Sequence, residues 1–355
     1  MMAIAQPSRP ILITGGAGFI GSNLADHVAR TGVTVRVLDD LSRPGVERNL
    51  GWLCAEHGAR IDARTADVRD REAVRDAVRG VAVVFHIAGQ TAVTTSLVEP
   101  RHDFSVNAGG TLEVLEAVRA EPEPPALIYT STNKVYGCLP DLPLQIENGR
   151  WRPGDDLLAR RGIDEQRPLE FRTPYGCSKG AADQYVLDYA HSFHLPAAVF
   201  RMSCIYGPRQ FGTEDQGWLA HFLLRAIEGA PITIYGDGRQ VRDVLFIDDL
   251  VDALVRAATR IEHLRGRAFN IGGGPGNTLS LLELIDMIGQ LHGRAPEVRH
   301  EGWREGDQRY YVSDTRAFAS ATDWAPRIAP RAGVEALHGW LVDRDARLRG
   351  GRHAP

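Results

Sequence analysis

No two cysteines in this chain form a CxxC pair; the four present, Cys54, Cys138, Cys177 and Cys204, are scattered. That spacing suits neither a redox dithiol nor a zinc ribbon, and it fits a reduced, cytoplasmic protein with free thiols. No apolar run approaches the roughly eighteen residues of a membrane-spanning helix. The amino terminus has no charged segment leading into an apolar one, so neither a signal peptide nor a membrane span is expected. Charge of one sign is scarce too. A formal net charge of −4 gives no reason to expect nucleic acid or a membrane surface as partner. No metal is assigned. At 355 residues the chain is long enough for a large core and two lobes.

What is present begins with an apolar strand, Ile11-Leu12-Ile13-Thr14, running into Gly15-Gly16-Ala17-Gly18-Phe19-Ile20-Gly21. A helix pattern follows, with Phe19, Ile20, Leu24 and Val28 on one face. Glycines at 15, 18 and 21 suit a tight turn, close approach of backbone to a pyrophosphate, and a helix lying near the strand. A glycine triplet alone also fits a bare strand-to-helix turn. The context strengthens it, because a second strand, Val33 to Leu38, ends at Asp39, twenty-four residues past Gly15. A carboxylate there accepts hydrogen bonds from adenosine ribose hydroxyls and repels a 2′-phosphate, which favours NAD over NADP. Arg43 is the nearby residue able to neutralise an extra phosphate.

Further strands alternate with helices. Arg60 to Thr65 leads to Asp67-Val68, placed to contact adenine, and Val81 to Ile87 ends in Ala88-Gly89-Gln90, small enough for close cofactor approach. Leu127 to Ser131 is the next strand. This alternation predicts an α/β fold, a doubly wound parallel (Rossmann) sheet with ligand at the carboxyl ends of its strands. His86 reads as a satisfied structural histidine. After Arg201 the pattern loosens into a smaller, discontinuous lobe. The expected division is 1–201 with 241–272 for the dinucleotide lobe, and 202–240 with 273–355 for the substrate lobe. Ser280 and Glu283 suit a capping box. The basic tail from Arg344 is expected to fray.

Chemistry enters with Thr132 at the end of a strand and with Tyr175 and Lys179, four apart at the start of a helix entered through Thr173-Pro174. A phenol has an ordinary pKa of about 10 and is a poor base at neutral pH. A nearby ammonium and an oxidised nicotinamide would favour its phenolate. Tyr175 is then the base that takes a hydroxyl proton, Lys179 the group that tunes it, and Thr132 the donor that orients the reacting oxygen. An enzyme that eliminates water from a sugar needs an acid–base pair just after Thr132. Here those places hold Asn133 and Lys134, which points to reversible alcohol oxidation without dehydration.

These residues resemble the extended short-chain dehydrogenase/reductase superfamily, in particular its NAD-dependent nucleotide-sugar epimerases and dehydratases. The likeness covers nearly the whole chain. It includes Asn107 in Val106-Asn107-Ala108-Gly109-Gly110-Thr111, Tyr235-Gly236-Asp237-Gly238 followed by Arg242-Asp243, and Arg304-Glu305-Gly306-Asp307. Within the family, four stretches resemble the enzymes that invert C2 of a CDP-linked sugar. They are Gln90 to Ser96, Ser131 to Gly137, Tyr175 to Tyr185, and Tyr206 to Phe211 with Asp215 to Trp218; an insertion over Asp141 to Arg172 accompanies them. The resemblance implies NAD contacts from Gly15, Gly18, Phe19, Ile20, Asp39, Asp67, Val68, Ala88, Gln90, Asn107, Tyr175 and Lys179. It implies nucleotide-sugar contacts from Thr94, Asn133, Lys134, Ser203, Arg209, Gln210, Gln216, Tyr235, Arg242 and Arg304, the last two on the diphosphate. A homodimer paired through Phe104 to Ala120 and Tyr175 to Phe193 is also implied. Two readings remain beside C2 inversion. One is C4 inversion of a UDP-sugar, with Lys134 either a partner for a uronate carboxylate or a surface lysine; the other is an inactive dinucleotide-binding sensor or scaffold.

Overall fold

A computed structural model describes residues 9–350, with side chains through Arg344. Five strands come first: β1 (Ile11–Thr14), β2 (Val35–Asp39), β3 (Ile61–Thr65), β4 (Val83–His86) and β5 (Ala126–Thr132). With the strands Ala197–Met202 and Ala268–Ile271 they form a seven-stranded sheet. Its order is Ala268–Ile271, Ala197–Met202, β5, β4, β1, β2, β3, with every pairing parallel. All of β1, β4 and β5 is buried, as both covered faces of a parallel sheet require. Ile11 and Ile13 join the core on one face, and Leu12 joins the core on the other. Full burial of each such side chain contributes about 1.5–3 kcal/mol. Strand order reverses at β1 and β4, so their carboxyl ends open the crevice where this fold takes a ligand.

The catalytic candidates sit on β5 and on the helix Thr173–Ser192. Thr173 Oγ1 accepts from the Gly176 N–H at 3.4 Å, which satisfies one of the free amides of the first turn. Ala182 and Val186 of this helix enter the core. Its Asp183 forms a buried, two-pronged pair with Arg201, both contacts at 2.9 Å. Arg201 also donates to the Tyr136 hydroxyl, which donates to Asn270. Removing one partner of such a buried pair costs about 3–5 kcal/mol. The helix is thereby locked to the strands on either side.

The segment expected to be one helix from Phe104 to Ala120 is interrupted. A short helix Pro100–Phe104 passes through a π-helical turn, Ser105–Gly109, into the helix Gly110–Ala120. One extra residue in a turn is invisible to a 3.6-residue period, and such turns favour functional positions. Asn107 lies in it.

Beyond the main sheet, Val241–Phe246 pairs with Cys204–Tyr206, Thr278–Ser280 and Tyr310–Tyr311. It thus joins the sheet of the second lobe, although the sequence groups it with the first. Ile232–Tyr235 pairs with Val298–Glu301. The insertion folds as a hairpin, Leu144–Glu147 with Arg150–Pro153, and a helix Asp156–Arg161 capped by Asp155. Arg150 reaches Glu283 at 3.0 Å, and Trp151 Nε1 donates to Asp237 at 3.0 Å, so the insertion packs on the second lobe. The capping box of Ser280 and Glu283 forms at 3.2 and 2.7 Å. The last helix, Pro330–Gly350, continues into the tail expected to fray; Gly351 to Pro355 lie outside the described residues. Among the described residues no helix is long and apolar enough to cross a membrane. None of them form a group of three or more His, Cys, Asp or Glu side chains able to hold a metal.

Candidate active site

A cleft of about 680 Å³ opens at the carboxyl ends of β1, β2, β4 and β5. Its floor is the glycine turn. Gly15 has φ 68°, and a Cβ there would lie 2.7 Å from the Ala88 amide; one on Gly21 would lie 2.2 Å from the Gly15 carbonyl oxygen. Only hydrogen fits at either place, so backbone is left facing the cleft at the start of the helix Phe19–Arg30, as a pyrophosphate site requires. Asp39 accepts from the Ala17 and Leu41 amides, each at 3.0 Å. Burial pushes its pKa up while these bonds pull it down. A carboxylate oxygen has lone pairs beyond one such bond, which is the capacity a ribose diol needs. Asp67 lines the cleft with its carboxylate on Arg69, and Val68 packs on Gly110. Phe19, Ile20, Ala88 and Gln90 complete this wall.

Tyr175 is fixed at both ends. Its amide donates to Ser96 Oγ at 3.1 Å, and its phenol hydrogen-bonds Thr132. Burial pushes its pKa up to about 12, and the Thr132 bond opposes that rise. Lys179 Nζ donates to the Thr130 carbonyl at 2.6 Å and lies 4.4 Å above the Tyr129 ring. Burial lowers its pKa to about 7, against the pull of Asp183 and Asp103. Thr132 Oγ1 accepts from the Lys134 amide at 3.2 Å and contacts Asn133 Oδ1 at 3.4 Å.

Under this trio lies a largely buried network, in which Asp103 and Ser178 are the members to which the sequence assigns no role. Asp103 accepts from Ser178 Oγ at 2.5 Å, Gln90 Nε2 at 2.9 Å and Asn107 Nδ2 at 3.2 Å. Asn107 Nδ2 also contacts Ser178 Oγ at 3.0 Å and the Gln90 carbonyl at 3.2 Å, while its Oδ1 is buried without a partner. Asn107 therefore supports the cleft from below and does not line it. Asp103 stands four residues before it, one helical turn away, and that spacing was the available signal.

His86 is structural, as expected. Burial drives its pKa down to about 3, so the ring is neutral. Thr111 donates to the Asn107 carbonyl at 2.6 Å and so accepts from His86 Nε2–H at 3.0 Å; Nδ1 then accepts from Thr14 at 2.7 Å.

The remaining substrate candidates divide. Asn133, Lys134, Ser203, Arg209, Gln210 and Gln216 line the cleft. Lys134 is no surface lysine: Nζ donates to the Gly306 carbonyl at 3.1 Å, and burial lowers its pKa. Asn133 donates to Gln308 at 3.4 Å. Ser203 bonds the Asp243 carbonyl at 3.0 Å. Gln210 is buried with Oε1 unpartnered, and the Arg209 guanidinium lies over Trp52. Gln216 accepts from Arg43 at 2.7 Å.

Thr94, Tyr235, Arg242 and Arg304 do not line it. Neighbours on the helix Val93–Val98 diverge by about 100°, so Val93 and Thr95 face the cleft and Thr94 does not. The two arginines expected on a diphosphate carry carboxylate partners. Arg242 pairs with Asp307 at 2.6 Å. Arg304 pairs with Glu214 at 3.2 Å and stacks 3.7 Å over Tyr235, whose hydroxyl bonds the same glutamate.

Residues 11–272 match the NAD dependent epimerase/dehydratase family. The chain is 42% identical to a CDP-paratose 2-epimerase of Salmonella typhi, across 93% of this chain and 98% of that protein. Its fold is similar to a UDP-glucuronic acid 4-epimerase of Bacillus cereus solved with UDP-glucuronic acid and NAD. There the TM-score is 0.81 at 25% identity, over 94% of this chain and 99% of that one. A Thermus thermophilus UDP-glucose 4-epimerase in complex with NAD gives a TM-score of 0.77 at 29% identity, over 94% and 99%.

Proposed function

The chain belongs to the NAD dependent epimerase/dehydratase family, and we propose that this NAD-dependent nucleotide-sugar epimerase is a CDP-paratose 2-epimerase. One observation carries the choice of inversion over loss of water. The two residues after Thr132 are Asn133 and Lys134, and the structure engages them with Gln308 and Gly306. An amide does not titrate near neutral pH and so serves as neither general acid nor general base, and a lysine fastened to a carbonyl does not provide the second half of an acid–base pair.

When bound, NAD supplies a hydride acceptor and later the same hydride as donor, so no net oxidation remains. Gly15, Gly18, Phe19, Ile20, Asp39, Ala88 and Lys179 line the cleft and would hold it. Thr132 orients the reacting hydroxyl of the sugar. Tyr175 would take the proton of the C2 hydroxyl and return it to the same oxygen after the sugar has presented its other face. Asp103, Asn107 and Ser178 hold Tyr175 and Lys179 in register; they are positioning residues, since they lie beneath the cleft and do not line it.

Proton NMR of the purified protein with CDP-, UDP- and GDP-sugars deuterated at C2 or at C4 tests this. The expected result is inversion at C2 of the CDP-sugar with the deuterium retained. Inversion only at C4 of a UDP-sugar would replace the reading with the C4 one, and no exchange at either carbon would favour an inactive dinucleotide binder.

We also propose a cytosolic homodimer. The four free cysteines suit a reducing compartment. The helices Val93–Val98, Pro100–Phe104 and Thr173–Ser192 pack together and, with Phe193 beside them, leave Leu97, Val98, Phe104, Tyr185 and Phe193 exposed, Val98 at 80%. A patch of this kind on a soluble chain marks an interface. Sedimentation should give a dimer, and Val98→Asp with Phe104→Asp should give a folded monomer; a monomeric parent protein would refute the assignment.

A further inference from the structure

We propose that Arg43 is a clasp that closes the cleft over the dinucleotide and slows its release. Arg43 follows Asp39 by four residues, in the loop leaving β2. Its Nη1 donates to Thr91 Oγ1 at 3.0 Å and its Nη2 to Gln216 Oε1 at 2.7 Å. Three separate segments therefore meet on one guanidinium: the loop after β2, the loop after β4, and a turn of the second lobe. All three residues line the cleft. The turn itself is stiff. Thr213 and Gln216 exchange backbone bonds at 2.9 and 3.2 Å, and Arg304 grips the Glu214 carbonyl at 2.9 Å. What Arg43 holds is thus an anchored part of the second lobe.

The charge on this clasp is the informative feature. Both partners are neutral, and burial lowers the pKa of Arg43 with no carboxylate offsetting it. A guanidinium has five N–H donors, and these two bonds use two of them. The other three have no partner among the described residues. A half-buried cation with idle donors, in a cleft built for a pyrophosphate, is complementary to that diphosphate. Arg43 lies on the side of Asp39, where the adenosine half of the dinucleotide belongs, so the diphosphate concerned is that of the cofactor and not of the sugar nucleotide. Leaving the cleft then requires two hydrogen bonds and one ion contact to break together.

The test is the release of bound NADH, followed by its fluorescence during a chase with excess NAD, with CDP affinity measured calorimetrically as a separate arm. Arg43→Gln removes the charge and the two-pronged reach. Losing a charge-assisted contact of this type should speed release by about tenfold or more. Arg43→Lys keeps the charge but not the span, and should fall between Arg43→Gln and the parent. Gln216→Leu removes one of the two hydrogen bonds and leaves the charge, and should speed release by less than Arg43→Gln. Release within twofold of the parent for Arg43→Gln overturns the proposal, as does a loss confined to CDP binding. If Arg43→Gln does not fold, Gln216→Leu decides: faster release supports the clasp, and unchanged or slower release overturns it. The proposal rests on the NAD dependence of the chain, which the NADH complex of the parent protein checks independently.

Discussion

Tyr175→Phe is expected to lower turnover by about a thousandfold or more while NAD stays bound, the range lost with a positioned general base. The substitution removes one oxygen and little else. The Tyr175 amide keeps its bond to Ser96, the ring keeps its buried seat, and Thr132 keeps the Lys134 amide. The proton acceptor is lost, and with it the phenol's hydrogen bond to Thr132. Because burial holds the Tyr175 phenol near 12 before any ligand arrives, the phenolate is scarce at neutral pH. The rate of the parent enzyme should accordingly climb with pH, and that climb should vanish in the variant. Turnover by NMR, together with absorbance of nucleotide released on denaturation, measures both halves. Activity within tenfold of the parent would remove Tyr175 from its role.

Lys179→Met should be equally inactive and yet more resistant to heat. A free lysine side chain titrates near 10.5, and in the fold burial brings Lys179 down to about 7. Between those values the unfolded chain binds a proton that the folded chain does not, so stability rises with pH across that window. Below about pH 7 the fold carries the full cost of a buried ammonium; above about 10.5 it carries none. Methionine has a similar shape and no charge to bury. Against this stands the Thr130 carbonyl, which loses its 2.6 Å donor. An unmade hydrogen bond costs about 1–3 kcal/mol, and the relieved charge is worth somewhat more, leaving a gain of about 1–3 kcal/mol. The gain should be largest at or below pH 7 and fade as pH rises toward 10. Calorimetric melting at several pH values reads it directly; a variant less stable than the parent at pH 6 would contradict it. The site keeps a group that the fold would be steadier without, which is the pattern of a residue retained for function.

The main sheet was legible because its signals are local. Apolar strands of four to seven residues end in Thr14, Asp39, His86 and Thr132, and each end lies at the cleft or under it. That Thr132, Tyr175 and Lys179 meet at the cleft was legible for the same reason: strand end and helix spacing are short-range properties. What was not legible is nonlocal. The pairing of Arg242 with Asp307 and of Arg304 with Glu214 joins segments that the order of motifs does not place side by side. The Val241–Phe246 strand looks the same in sequence whichever sheet receives it. Asp103 is an acidic residue on a short helix, a position that is normally solvated, and only the fold reveals that Ser178 and Gln90 close over it. The π-helical turn was unreadable because one added residue leaves the apolar pattern on either side intact.

The bonds from Asn133 to Gln308 and from Lys134 to Gly306 have a mechanical meaning. They join residues 175 and 172 positions apart in the chain, immediately beside Thr132. Gln308 also donates to the Gly137 carbonyl at 2.6 Å, so the stitch passes on both sides of the segment. The catalytic strand end is therefore shared property of the two lobes, and it cannot relax independently of the sheet that carries Arg242. A strain applied far away in the second lobe arrives at Thr132 through two side chains. In this architecture the position of Thr132 is set by how distant parts of the chain are sewn together, as much as by the strand on which it stands.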